Sequence, residues 1–257
     1  MKFENMINSI SKNIAISIVK CIESAVGDGI REDLQKNNLR TTNSKGSRIW
    51  DLLNTALLDS MDTVECSTAV SNRGPWQMVV LFEKSSGSVM TLMREQRYAE
   101  LKKAQKRRNR MHYVDMLPKM FNSELLSDHE QITLFPKEFA DENDLAVLVQ
   151  RLLGDLVSDI SVVRNHVLVL FDTRGFHLTN VRAVMITPNL DIASRCEVNW
   201  SKYISSNESI IVQQVEDPES PANNPHHGLK LTGKAATRKQ RLIRLRQEGD
   251  AEKTEDI

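Results

Sequence analysis

The residues best equipped for chemistry in this 257-residue chain are cations gathered in two clusters. Between positions 94 and 110 stand Arg94, Arg97, Lys102, Lys103, Lys106, Arg107, Arg108 and Arg110 against Glu95 and Glu100, a local charge of +6. Lys230, Lys234, Arg238, Lys239, Arg241, Arg244 and Arg246 meet no acid between 230 and 246, for +7. Clustered Lys and Arg neutralise phosphates and release counterions, the main source of sequence-independent affinity for nucleic acid. Tyr98 inside the first cluster, and Tyr113 just beyond it, are placed to stack on a base while the cations hold the backbone. The plainer reading is a solvated helix face. In the second cluster Leu242, Ile243 and Leu245 also suit docking on an acidic protein partner.

Catalytic groupings are thinner. Arg107 and His112 have the R-x4-H spacing in which an imidazole can act as acid or base while a guanidinium holds phosphate. That spacing arises easily in any Arg-rich stretch. Glu65, Glu83, Asp172 and Glu197 fall near expected strand ends, where carboxylates could converge on a divalent cation in a nuclease, but nothing in the sequence fixes their convergence. His166 and His177 flank one hairpin and lack a third zinc ligand, so no metal and no cofactor is assigned. There is no Gly-rich phosphate loop, no G-x-S-x-G elbow and no H-E-x-x-H.

Hydrophobic spacing defines the elements that would carry these groups. Phe3, Met6, Ile7, Ile10, Ile14, Ile18, Cys21, Ile22 and Ala25 form one helical stripe, ended at Gly27 and Gly29. Ser47 is placed to cap a second helix running to Met61. Alternation then predicts strands near 63–70, 76–83 and 88–94, with turns at Asn72-Arg73-Gly74-Pro75 and Lys84-Ser85-Ser86-Gly87. In the second of these, Val79 and Leu81 are apolar on one side while Met78, Val80 and Phe82 are apolar on the other, so that strand reads as central. Arg94–Arg110 reads as a mostly solvated helix anchored by Tyr98 and Leu101. Pro118, Asn122-Ser123 and Pro136 mark irregular structure. Asp141 caps a helix over 141–160, and strands follow near 166–172, 177–187 and 191–199.

The expected class is α+β: a mainly antiparallel sheet with helices packed on one face, followed by a flexible basic tail. The two halves, 1–115 and 116–204, share a helix–three-strand order, and Val80-Leu81-Phe82-Glu83 parallels Val169-Leu170-Phe171-Asp172. Duplication and a chance likeness of buried hairpins both account for this. Residues 1–204 form the globular domain. From 205 to 257 a Pro-containing linker leads to the basic segment and then an acidic end, Glu248 to Ile257, of charge −4.

Overall, 34 Lys and Arg balance 34 Asp and Glu, so no long-range field draws in a polyanion, and the neutral total conceals two basic islands on an acidic body. Three cysteines without CxxC spacing argue against a disulfide scaffold. The lack of a spanning apolar run or a signal sequence points to a cytoplasmic protein with no membrane partner.

Trp76-Gln77-Met78-Val79-Val80-Leu81, Thr91-Leu92-Met93-Arg94-Glu95-Gln96-Arg97, Glu100-Leu101-Lys102-Lys103 and His112-Tyr113-Val114-Asp115 resemble an uncharacterised family of bacterial and mobile-element proteins, over most of residues 1–200. The resemblance implies a bacterial cytoplasmic setting beside phage or defence genes and carries no activity. The function expected from the residues is non-enzymatic: a nucleic-acid-binding or nucleoprotein-associated regulatory protein using both basic segments. A nuclease acting on RNA or DNA and an antitoxin-like or inhibitor-like protein-interaction module are the alternatives. Homo-oligomerisation is left open.

Overall fold

The computed structural model describes residues 7–38, 41–73, 76–125, 139–154 and 156–205. All of them belong to the first of the two units into which the chain divides, Met1–Ser206. Helix α1 (Lys12–Ser24) runs into a five-residue π turn at Ala25–Gly29 and then into α2 (Ile30–Asn37). The two glycines therefore kink the helix where the sequence reading ended it. Gly27 leaves helical geometry (φ −95°, ψ −108°), and a Cβ on Gly29 would come within 2.9 Å of the Ser24 carbonyl oxygen.

Helix α3 (Lys45–Met61) begins two residues before the expected Ser47 cap, and the Ser47 hydroxyl donates instead to the Ser44 carbonyl at 2.9 Å. Strands β1 (Cys66–Arg73), β2 (Trp76–Glu83) and β3 (Ser88–Arg94) follow as an antiparallel meander. Helices α4 (Glu95–Ala104), α5 (Tyr113–Phe121) and α6 (Leu145–Leu153) then cross over to a second meander, β4 (Asn165–Arg174), β5 (His177–Ile186) and β6 (Ile192–Asn199). The six strands lie in chain order, and the two meanders join through one parallel pair, β3 with β4.

The α+β class and the mainly antiparallel sheet match the expectation. The helices, expected on one face, cover both. On one side Val79, Leu81, Met90, Leu92, Val167, Val169, Phe171, Ala183 and Met185 pack with Ile14, Ile18 and Ile22 of α1 and Leu53 and Leu57 of α3. On the other, Val80, Phe82, Val89, Met93, Leu168, Leu170, Val184 and Ile186 pack with Tyr98 and Leu101 of α4, Val114 and Leu117 of α5, and Val149, Leu152 and Leu153 of α6. The cause lies in the central strands, whose runs Val79–Phe82, Val167–Phe171 and Ala183–Ile186 are apolar at consecutive positions. Successive strand side chains point to opposite faces, so such runs need cover on both, each buried Val, Leu or Phe contributing about 1.5–3 kcal/mol.

The two meanders give a helix–three-strand order in each half, but the matching tetrapeptides do not occupy equivalent places. Val80–Glu83 lies on β2, the second strand of its meander, whereas Val169–Asp172 lies on β4, the first. Leu81 and Leu170, paired in that match, face opposite sides of the sheet, and α3 and α6 also pack on opposite faces.

Candidate nucleic-acid interface

The first basic cluster starts where β3 ends. Arg94, half-buried at the carboxyl end of that central strand, has its guanidinium 6.0 Å from the centre of the Phe171 ring, and burial lowers its pKa. Helix α4 is fixed on the sheet by Tyr98 and Leu101, both buried. The Tyr98 hydroxyl donates to the Leu190 carbonyl at 2.7 Å, and burial, with Asp191 nearby, pushes the phenol up to about 12. A side chain so held has no face to offer a base. The stacking role expected for Tyr98 is thus corrected, and Tyr113, also buried, donates to the Leu92 carbonyl at 3.3 Å.

Acids on neighbouring elements and on α4 itself take up part of the charge. Lys102 pairs with Asp191 at 2.7 Å, and Arg97 with Glu100 at 3.1 Å. Arg182 of β5 reaches Glu95 at the start of α4 (Nη2 to Oε2, 2.9 Å) and Glu197 of β6 at 3.0 Å, and the hydrogen bond to Glu95 is the main reason its pKa is raised. The Lys102 and Glu95 contacts hold the helix against the β5–β6 hairpin, where Gln105 also donates to the Pro188 carbonyl at 3.3 Å.

After a 3-10 turn at Gln105–Arg107, Arg108 turns inward and binds Asp115 with both terminal nitrogens, at 2.5 and 2.8 Å. Asp115 is wholly buried and accepts a third bond, from the His112 backbone N–H at 2.8 Å. His112 is the N-cap of α5, its Nδ1 accepting from the Val114 N–H at 3.4 Å. The segment is therefore a helix start closed by a capping box. His112, the candidate acid–base group, serves that cap, while Arg107 is exposed on the 3-10 turn. The chain beyond is held by the Ala140 N–H donating to the Asn109 carbonyl (3.0 Å) and the Met111 N–H donating to Asp141 (3.0 Å). Asp141, expected to cap the following helix, is used here instead, and that helix is shorter than expected, ending at Gly154 (φ +50°).

What remains outward is Lys103, Lys106, Arg107 and Arg110. All four are exposed and none forms an ion pair among the described residues. They lie on eight consecutive positions anchored at one end by Lys102–Asp191 and at the other by Arg108–Asp115, so their backbone is positioned before any ligand arrives. Such a ridge can meet a row of phosphates without first being ordered. Lys230, Lys234, Arg238, Lys239, Arg241, Arg244 and Arg246 lie outside the described residues.

The carboxylates considered for metal chemistry do not come together. Glu83 is wholly buried, with Oε1 accepting from the Ser11 N–H (3.1 Å) at the start of α1 and from Ser85 Oγ (2.8 Å), and Oε2 from Ser86 Oγ. Asp172 accepts from the Thr173 N–H (2.8 Å), Glu197 pairs with Arg182, and Glu65 is exposed. No three His, Cys, Asp or Glu side chains are grouped to hold a metal among the described residues. His166 is fully buried and shares a 2.9 Å hydrogen bond with Thr91, and burial drops its pKa to about 3; His177 is exposed.

Sequence reading missed two polar arrangements. Cys66, Glu83, Ser88 and Asn165 form one buried cross-strand row over β1–β4, and burial, then Glu83, pushes the Cys66 thiol up to about 11. Asn122, capping α5, donates to the carbonyls of His166 (2.9 Å) and Ile186 (3.0 Å) and accepts from the His166 N–H (2.9 Å). The only sequence signal for the first was Glu83 interrupting an apolar strand; Asn122 gave none beyond marking an irregular stretch. No helix among the described residues is long and apolar enough to cross a membrane.

No curated protein and no solved structure shows detectable similarity to this sequence. A family profile does, over residues 7–245, and so covers the sheet, the helices on both faces and the basic ridge. The chain belongs to the family of unknown function DUF5986.

Proposed function

We propose that this protein binds nucleic acid through the ridge formed by Lys103, Lys106, Arg107 and Arg110, with the basic segment Lys230–Arg246 as a second, sequence-independent contact. The observation that carries the reading is the division of labour within 94–110. Arg97, Lys102 and Arg108 have acidic partners, and the remaining four cations from 103 to 110 face solvent together. The role is regulatory and non-enzymatic, in a bacterial cytoplasm and in the phage-conflict setting that the family resemblance suggests.

The test is binding of fluorescent single- and double-stranded DNA and RNA over a salt series. Four phosphate contacts correspond to a slope of log affinity against log salt of about −3.6 on duplex DNA and about −2.8 on single strands. Reversing all four residues to Glu removes that part of the slope, and deleting residues 206–257 removes the tail's part. Affinity and slope unchanged in both variants would refute the proposal. Capture of a protein partner that survives nuclease treatment would replace it with the interaction-module reading.

A further inference from the structure

The two edges of the sheet differ in how they are guarded. On β6, Arg195 has φ +60°, Glu197 adds a charge, and the pairing register with β5 shifts between Val184 and Ile186. A kinked, charged strand of this kind resists pairing with another chain. Strand β1 has neither a kink nor a register shift, and its one charge, Arg73, is its last residue. From Cys66 to Asn72 it carries no charge and no proline, and it pairs with β2 in unbroken register.

Hydrogen bonds at its start show which backbone groups point outward. The Glu65 carbonyl accepts from the Lys84 N–H on the β2 side at 2.9 Å. Cys66 turns both its groups the other way, its carbonyl accepting from the Thr63 N–H (2.8 Å) and its N–H donating to Thr63 Oγ1 (3.1 Å). Alternation along an antiparallel strand then sends the N–H and C=O of Thr68, Val70 and Asn72 outward. Val79, the β2 residue opposite Val70, agrees: its N–H turns away from β1 to the Asn54 side chain at 3.3 Å.

We propose that β1 pairs with β1 of a second copy of this chain, antiparallel about a two-fold axis at Val70, to give a continuous twelve-stranded sheet. Self-complementarity selects this occupant. The axis sets Val70, 47% exposed, against its own counterpart, and sets Thr68 against Asn72 in both directions. Apolar meets apolar, polar meets polar, and no like charges oppose. Three facing residue pairs supply six backbone hydrogen bonds. So short a contact buries less than the roughly 1,200 Å² typical of stable interfaces, so the dimer is weak and concentration-dependent.

The experiment is sedimentation velocity on the full chain from low to high micromolar concentration, without nucleic acid, so the result is independent of the binding proposal. A monomer–dimer equilibrium is expected, and Val70→Lys, which sets two ammonium groups against each other at the axis, abolishes it while leaving the melting temperature unchanged. A second measurement fixes the register. Val70→Cys forms a covalent dimer with diamide, because residues facing each other across the axis lie about 5.5 Å apart at Cα, within disulfide reach. Thr68→Cys does not, since its copies stand about four residues apart along the strands. The native thiols Cys21, Cys66 and Cys196 are buried and do not interfere. A monomer at all concentrations, a dimer that survives Val70→Lys, or equal cross-linking from positions 68 and 70 would overturn the proposal.

Discussion

Within one stretch of chain, Arg108 and Arg107 are adjacent residues of like charge with opposite fates. Arg108 points inward to Asp115, a carboxylate with no exposed surface, and ties the end of the 3-10 turn to the start of α5. Arg107 stands in solvent with Lys103, Lys106 and Arg110. A local count of charge treats them alike. The difference lies in where the fold brings the acids: Asp115 is seven residues from its partner, and Asp191 reaches Lys102 only through the β5–β6 turn. Cations spent on architecture hold up those left in solvent.

The sharpest way to break this contrast is Asp115→Ala. It leaves the Arg108 guanidinium without its partner and the His112 N–H without its cap, and the expected loss is about 3–5 kcal/mol in urea unfolding. Affinity for nucleic acid per folded molecule stays within about twofold, since the outward cations remain. If stability held and binding collapsed, the assignment of roles would be reversed.

Acid titration probes a buried group that has no ionic partner among the described residues. His166 titrates near 6.5 in the unfolded chain and at about 3 when folded. As pH falls below 6.5 the unfolded state takes the proton first, so stability drops from about pH 6.5 down towards 3, by on the order of several kcal/mol over the whole window. The urea midpoint followed against pH reads this, and His166→Gln flattens the curve in that range. An unchanged curve would mean that the imidazole is not held neutral.

Reversing Lys103, Lys106, Arg107 and Arg110 to Glu works on the other side of the contrast. Binding at 0.1 M salt should weaken by about 100-fold or more, roughly 2.7 kcal/mol or greater, with the melting temperature shifted by no more than a few degrees. Smallest are the exposed pairs. Lys102→Ala and Arg97→Ala each cost about 0.2–1 kcal/mol, less at high salt, because solvent screens both partners. A larger effect for Lys102 would promote its tie to Asp191 from trim to clamp.

Much of this architecture could be read from residue order. The alternating positions Trp76, Met78, Val80 and Phe82 and the turn at Lys84–Gly87 locate strands because the period of two is a local property. The consecutive apolar residues of the central strands already argued for cover on two faces, against the one-face arrangement expected. Tyr98 and Leu101 were identifiable as anchors from their spacing, whereas burial of the Tyr98 hydroxyl at Leu190 depends on a contact 92 residues away. His112 and Asp115 stand three apart, the spacing of a capping box, a cue that the Arg-rich surroundings obscured. Which cations are free could not be read, because ion pairing is settled by tertiary contact.

The parallel joint between β3 and β4 bears on how the molecule is made. Each meander can zip from near neighbours, but the joint waits for roughly seventy residues of crossover, whose loop closure costs about 4 kcal/mol. On a translating ribosome, at about 5–20 residues per second, Ser88–Arg94 would therefore wait on the order of 4–15 s for its neighbour. For that interval the nascent chain carries an apolar strand with one side bare, a natural target for a chaperone.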